Sequence, residues 1–427
     1  MAPPSFYKLS QRVASIVPVQ FHRVPCERRG DVQFSRVPCE RRGDVQFSLM
    51  GNPYWLMLHV NNVGGSDDDV TEMVVREKGE QWVQMTQNWG ITYQAFAALD
   101  KSVGARDEEQ LTNGFMDMPV DWAPGMSKHM RLKDFPTILC TRDRDDIALN
   151  FKLHHVERVE AADVVIINTM DELEQPALDA MRAIIPAIYT IGLLNSLTDQ
   201  IVPCMDPLHK VSSSLWKEDH IRVQWLDGRK PRSVVYMNFG SVTVMSNHEL
   251  VEFAWGLANS GQDFLWIIRP GIMKSEAAVL PPEFLEATKD RGLLASWCDQ
   301  EAVLRHDAVC MFLTHCGWNS TVEGLCGGVP MLCWPFFAEQ QTNCRYKCLE
   351  WGVGMEIGDD VPQDVVNERI KEAVGGKKGR EMKKRAAEWR EVAIRSKVTS
   401  LNNLDSLIND VLLSGKKTVS SSSKCQR

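Results

Sequence analysis

The spacing of apolar positions changes along the chain, and it is clearest after residue 221. Val234 to Phe239 reads as a strand ending in Gly240-Ser241. Ser246 then opens a helix, with Glu249 three residues on to complete a reciprocal cap. Leu250, Phe253, Ala254 and Leu257 give that helix one apolar face, and Gly261 can close it. Phe264 to Ile268, Gly292 to Ser296, Ala308 to Leu313 and Val329 to Trp334 read as further strands, with short helical stretches between most of them. This alternation predicts a parallel, doubly wound sheet, in which ligands bind outside the carboxyl ends of the strands.

Upstream the pattern weakens. Ala162 to Asn168 suits a buried parallel strand, Thr169 to Ile184 has helical spacing, and Ile188 to Ile191 gives another short strand. Ser196 to Glu218, mixed in polar and proline content, reads as an interdomain linker. In residues 1–107 only Val13 to Val19 and Tyr54 to Val60 suit strands, and Gln81 to Leu99, with Trp82, Trp89, Tyr93 and Phe96, is expected to be a helix. With so few strands before it, Val164 to Ile167 is expected to leave apolar edges and backbone groups unpaired. Arg23 to Ser35 reads RVPCERRGDVQFS, and Arg36 to Ser48 repeats it unchanged. Two copies do not make a solenoid, so the repeat is read as a recent duplication or an assembly error, with its Arg-Gly-Asp triplets in solvated loops.

Composition narrows the function classes. With 427 residues, 44% hydrophobic and 24% charged, the chain suits two or three globular domains. A net charge of -8 argues against coating nucleic acid or anionic membrane. Lys371 to Lys397 carries ten Lys/Arg against four Glu and reads as a helix with a solvated basic face, so no nucleic-acid partner is expected. No run approaches the roughly 18 apolar residues of a membrane helix, and Met1 to Gln20 does not resemble a signal peptide. The twelve cysteines are therefore read as reduced thiols of a cytoplasmic protein. Cys344 and Cys348, with His315 and Cys316 nearby, raise a metal site; the reading preferred is small buried cysteines.

Chemistry concentrates after the strand Ala308 to Leu313, in Thr314-His315-Cys316-Gly317-Trp318-Asn319-Ser320. Thr321 to Cys326 then reads as helix, with Asn319 and Ser320 as capping types and Gly317 permitting a tight turn. Free amides at that helix start, aided by its dipole and by donors from His315, Asn319 and Ser320, suit a diphosphate. Glu323, one turn deeper, suits two vicinal hydroxyls such as those of ribose. Trp297 could stack on a base, and Glu339 and Gln340 suit sugar hydroxyls.

From Trp297 to Gln340 the chain reads WCDQEAVLRHDAVCMFLTHCGWNSTVEGLCGGVPMLCWPFFAEQ. This closely resembles the signature box of plant secondary-product glycosyltransferases, which are UDP-sugar-dependent enzymes. Leu111-Thr112-Asn113-Gly114, Arg131-Leu132-Lys133-Asp134-Phe135-Pro136, Ser214-Leu215-Trp216-Lys217 and Trp225-Leu226-Asp227 extend the likeness over about residues 108–410. Leu193 stands where the family has proline. The resemblance implies an α/β fold of GT-B type, with two facing Rossmann-like domains. An acceptor-domain remnant would span 108–205 and a donor domain 206–410, after an aberrant region 1–107 and before a flexible tail 411–427.

The resemblance also implies site roles. Trp297 would stack on uracil, with Gln300 and the backbone of Cys298 beside it. His315, Asn319 and Ser320 would hold the diphosphate, with Ser241 contributing from the Gly-Ser loop. Glu323 would bind ribose, and Trp318, Glu339 and Gln340 would face the sugar, Gln340 going with glucose. The implied reaction is hexosyl transfer from UDP-glucose to a hydroxyl of a small plant metabolite, with no cofactor or metal and no specific protein partner.

The family's general base is a histidine after the first strand, in a Gly-His context. Residues 1–107 contain no Gly-His; His22 and His59 are the candidates there, and neither has a matching neighbourhood. The base is therefore unassigned. Inactivity is expected in preference to activity, which leaves a catalytically dead UDP-sugar-binding protein as the alternative to an active glucosyltransferase. An epimerase or dehydrogenase is disfavoured, because no G-x-G-x-x-G follows a strand near the start.

Overall fold

The computed structural model describes residues 113–137, 164–185, 187–192, 224–273 and 280–411 with side chains, and isolated positions between 147 and 197. For 45–48, 57–60, 74–77, 80–85, 221–223 and 412 it describes the backbone alone. The expected strand Val13 to Val19, the first repeat copy, His22, most of the linker and residues 413–427 lie outside the described residues.

The first described strands are β1 (Val45–Ser48) and β2 (Met57–Val60), which pair antiparallel as a separate sheet. A four-stranded sheet follows, in the order β3 (Val74–Glu77), β4 (Glu80–Met85), β5 (Val164–Ile167), β6 (Ile188–Thr190). β3 and β4 form an antiparallel hairpin, while β4 with β5 and β5 with β6 run parallel. Helix α1 (Asp171–Arg182) follows β5.

Two expectations are corrected here. Residues 80–85 are strand, not the start of a helix, and 86–99 lie outside the described residues. β5 is paired on both sides, since Trp82 to Met85 match Val164 to Ile167 residue for residue. The physical reason is shared. The open edge of a buried strand needs hydrogen-bond partners, and a segment with an aromatic and a β-branched residue supplies them better as strand than as helix.

The second unit is a six-stranded parallel sheet. After α2 (Ile221–Asp227) come β7 (Val234–Asn238), α3 (Asn247–Ser260), β8 (Asp263–Ile267), α4 (Pro282–Thr288) and β9 (Gly292–Ala295). Then follow α5 (Gln300–Arg305), β10 (Val309–Thr314), α6 (Trp318–Gly327), β11 (Met331–Cys333), α7 (Gln340–Arg345) and β12 (Gly354–Glu356). Helices α8 (Gln363–Gly375) and α9 (Lys377–Ser406) complete it. The spatial order is β12-β11-β10-β7-β8-β9. The chain moves outward from β7 in one direction, returns to β10, and moves outward in the other. The crevice opens where the order reverses, between β7 and β10.

Local signals account for much of this. Ser246 Oγ accepts from the Glu249 amide at 3.2 Å, and the Glu249 carboxylate accepts from the Ser246 amide at 2.7 Å, so α3 begins where its cap was expected. Gly261 closes α3 with φ 73°, and Leu250, Phe253, Ala254 and Leu257 are buried. Every residue of β7 and β10 is buried, as suits strands covered on both faces. One apolar cluster runs from Val165, Ile167 and Leu173 of the first unit to Val234, Phe312 and Leu325 of the second. The two units thus share a core, in which burying each large aliphatic side chain contributes about 1.5–3 kcal/mol.

Two further connections join them. Helix α9 returns to the first sheet, where Asn403 Nδ2 donates to the Thr190 carbonyl at 2.9 Å and Ser396 Oγ meets Met170 Sδ at 3.3 Å. The expected basic face of Lys371 to Lys397 is exposed, but Gly376 divides it between α8 and α9. The segment 113–137 lies along α7: Arg131 grips Asp134 through two nitrogens, at 2.9 and 2.8 Å. Thr342 Oγ1 donates to the Asp134 carbonyl at 2.7 Å, and Thr137 and Ala338 exchange hydrogen bonds at 3.1 and 3.3 Å.

Candidate functional site

At the reversal point the loops leaving β7 and β10 lie side by side, with Asn238 paired to Thr314 at the strand ends. β10 runs into His315-Cys316-Gly317, and α6 begins at Trp318, with Gly317 as N-cap and no side-chain cap. The helix therefore starts three residues before the expected Thr321, and Asn319 and Ser320 lie in its first turn instead of capping it. The reason is Cys316, held at φ 71° while its amide donates to Thr314 Oγ1 at 3.2 Å and its carbonyl accepts from Asn343 Nδ2 at 2.9 Å. That turn delivers Gly317 already in cap geometry. The first helical bond runs from the Thr321 amide to the Gly317 carbonyl at 2.9 Å. The amides of Trp318, Asn319 and Ser320 thus lack helical partners, an arrangement that attracts anions.

His315 is buried against both loops. A Cβ at Gly240 would lie 2.6 Å from its ring, and one at Gly317 would lie 2.5 Å from Nε2. Gly240 also has φ 74°, so glycine there satisfies both the backbone and the ring. Burial lowers the imidazole pKa to about 4, so the ring is neutral at neutral pH, and its Nδ1 has no hydrogen-bond partner. Buried polar atoms are rarely left this way, and a ligand acceptor would satisfy it.

A polar network centred on Gln300 lies beneath the helix start. Gln300 Nε2 donates to Ser320 Oγ at 3.0 Å and to Glu323 Oε2 at 2.7 Å. Its Oε1 accepts from Asn238 Nδ2 at 2.8 Å and from the Tyr236 hydroxyl at 3.1 Å. Asn238 Oδ1 in turn accepts from the Gly240 amide at 2.9 Å, so the network reaches the loop that carries Ser241. Gln300, Ser320 and Glu323 are thereby brought together. The sequence reading missed Tyr236 and Asn238. Their signal was two polar groups spaced i, i+2 on one face of an otherwise apolar strand, at its carboxyl end.

Arg269 was also missed. Buried, its guanidinium donates to the carbonyls of Gly240 at 2.9 Å, Pro270 at 3.2 Å and Thr243. Burial pulls its pKa below the ordinary arginine value, yet guanidinium keeps its proton in proteins, so a positive charge stands behind the Gly-Ser loop.

The remaining predicted residues surround this centre. Ser241 and Trp297 are half-buried, Trp297 packing on the core, and Cys298 is buried with Sγ 3.6 Å from the Tyr236 hydroxyl. Trp318 buries its indole near Trp351, and its Nε1 donates to the Asn168 carbonyl at 2.9 Å. That bond ties the helix start to the end of β5 in the first unit. Glu339 is buried at the N-terminus of α7. Gln340 Oε1 accepts from the amides of Phe336 and Phe337 at 2.9 and 3.3 Å, which closes the turn after β11. His59 lies in β2, in the separate two-stranded sheet.

Two joined α/β units, with an anion-ready helix start at the reversal point of a parallel sheet, define a GT-B type glycosyltransferase fold. Residues 209–381 match the UDP-glucoronosyl and UDP-glucosyl transferase family, and residues 45–104 match the expansin C-terminal domain. The chain is 50% identical over 312 residues to the (R)-mandelonitrile beta-glucosyltransferase of Prunus dulcis, covering 72% of this chain and 64% of that protein. It is 50% identical over 324 residues to the 7-deoxyloganetin glucosyltransferase of Catharanthus roseus, covering 74% and 66%. The chain thus spans less than two thirds of the length of these relatives. Among solved structures, Phytolacca americana UGT2 complexed with UDP-2fluoro-glucose and pterostilbene matches with a TM-score of 0.63 at 29% identity, covering 77% of this chain and 70% of that one. Medicago truncatula UGT71G1 complexed with UDP-glucose matches with a TM-score of 0.62 at 27% identity, covering 77% and 70%. The matched portion of the chain is similar to plant UDP-glycosyltransferases, and the segment before it, residues 45–104, resembles a different family.

Proposed function

We propose that the chain binds a UDP-sugar, with UDP-glucose as donor, in the crevice between β7 and β10. The reaction this site serves is transfer of the hexose to a hydroxyl of a small plant metabolite. The observation that carries the reading is the uncapped start of α6, set above the Gln300 network and beside a neutral His315 whose Nδ1 has no hydrogen-bond partner. In this assignment the α6 amides and His315 hold the diphosphate, with Ser241 and Asn319 beside them. Glu323, fixed by Gln300, accepts from ribose hydroxyls, and Trp297 carries the uracil with Cys298 beside it. Glu339, Gln340 and the backbone at Trp318 border the sugar. The positive charge of Arg269 favours a diphosphate in the loop it braces. Transfer requires an acceptor oxygen to attack the anomeric carbon while a base removes its proton. We assign neither a metal nor a cofactor to that step, and we place the protein in the cytoplasm with its thiols reduced. Among the described residues no helix is long and apolar enough to cross a membrane.

A second reading, donor binding without turnover, is favoured by the position of His59. It lies in β2, within the segment that matches the expansin C-terminal domain, in a two-stranded antiparallel sheet and not at the end of a parallel strand. Calorimetry with UDP-glucose, paired with transfer assays on a panel of small phenols and alcohols, separates the readings. Binding with turnover supports the enzyme, and binding without turnover supports the second reading. A folded sample that binds no UDP-sugar overturns both.

A further inference from the structure

Beneath the His315 turn lies a group of sulfur atoms that the transfer reaction does not use. Cys316 follows β10, Cys333 ends β11, and Cys344 lies in α7. All three are buried, and their Sγ atoms lie within 4.8 Å of one another. Cys348 follows Cys344 by four residues, in the turn beyond α7. The three elements meet through packing that residues far apart in sequence enforce, and the fold alone assembles the three sulfurs.

We propose that Cys316, Cys333 and Cys344 form a site for one divalent thiophilic cation of the zinc class, with Cys348 or a water as the fourth ligand. Thiolates around zinc stand about 3.8 Å apart, from zinc–sulfur bonds of about 2.3 Å in tetrahedral geometry. The observed spacing of the three buried sulfurs, within 4.8 Å of one another, is of that order. Cys348 is the least buried of the four. As each sulfur bonds the ion, its proton passes to solvent. This replaces the view of these thiols as small core fillers. It also gives the ion a task, because the site joins the turn that presents the α6 amides to β11 and α7, stapling the anion-binding loop from below.

The test uses the full chain, purified with a thiol reductant, stripped with a chelator, and reloaded with zinc or cobalt(II). One zinc per chain is expected to survive gel filtration, and cobalt is expected to give thiolate-to-metal charge-transfer absorption. Added zinc should raise the melting temperature of stripped protein, since a ligand that binds only the folded state stabilises it. Cys344→Ser should weaken cobalt binding at least about tenfold, as loss of one ligand generally does. Cys310→Ser, at a buried cysteine in the other core cluster, should leave it unchanged. Zinc below about one tenth of an equivalent in folded wild-type protein overturns the proposal, and this arm depends on no variant folding. Cobalt absorption that persists unchanged in Cys344→Ser overturns it as well.

Discussion

Replacing Gln300 with leucine keeps the side-chain volume and removes both ends of its carboxamide. Four hydrogen bonds disappear: two donated, to Ser320 and Glu323, and two accepted, from Asn238 and Tyr236. They differ in weight. Asn238 Nδ2 retains the Tyr236 hydroxyl at 3.0 Å, so its loss is partial. Glu323 is only 4% exposed, and the bond it loses is to a carboxylate, worth about 1.5–3 kcal/mol. Adding about 0.5–1.5 kcal/mol for Ser320 and a similar amount for the two accepted bonds gives a destabilisation of roughly 2.5–6 kcal/mol. Urea unfolding followed by tryptophan fluorescence reads this directly. A double-mutant cycle with Glu323→Met, which removes the acceptor, isolates the contact, and a pair at 2.7 Å should show coupling of about 1 kcal/mol or more. UDP affinity should fall at least about tenfold, or 1.4 kcal/mol, because Ser320 and Glu323 lose their brace. Effects of Gln300→Leu and Glu323→Met that add within about 0.5 kcal/mol would refute the network as a unit.

Gly240→Ala places a Cβ 2.6 Å from the His315 ring at φ 74° and should cost about 1–3 kcal/mol in a melting experiment, together with weaker UDP binding. Arg269→Met frees three carbonyls around the Gly-Ser loop, and faster amide exchange across residues 240–243 with a loss of UDP affinity is the expected result. Trp318→Phe removes the bond to Asn168 and should cost about 1 kcal/mol, seen as earlier exposure of the β5 end in hydrogen exchange. His315, with its pKa lowered by burial to about 4 from 6.5, binds fewer protons folded than unfolded between those values. Its contribution is therefore complete above pH 6.5 and is lost as pH falls toward 4, about 2 kcal/mol of it between pH 7 and pH 5. A His315→Asn variant should show a shallower decline in stability over that window, and equal slopes would count against the buried neutral ring.

What the sequence made legible follows from the range of the forces involved. The cap at Ser246, the closure at Gly261 and the buried strands of the second sheet depend on near neighbours, and each was readable from residue type and spacing. The start of α6 was misplaced because Asn319 and Ser320 are capping types, while the turn that sets the start depends on Asn343, distant in sequence. Asn238, Tyr236 and Arg269 passed unnoticed because each acquires its role only when β7, α5 and the β8 loop converge. The pairing of β4 with β5 was unreadable for a similar reason, since the need it satisfies belongs to a strand about 80 residues away.

The return of α9 to the first sheet bears on how the two units can move. The second unit is held where α9 comes back to Thr190, where the segment 113–137 lies along α7, and through a shared apolar core. Three separated attachments define no single axis, so neither a swivel nor a swing is free. The bond from Trp318 to Asn168 adds a hold at the site itself, since any shift of the β5 end against the second unit pulls directly on the helix start that presents the α6 amides.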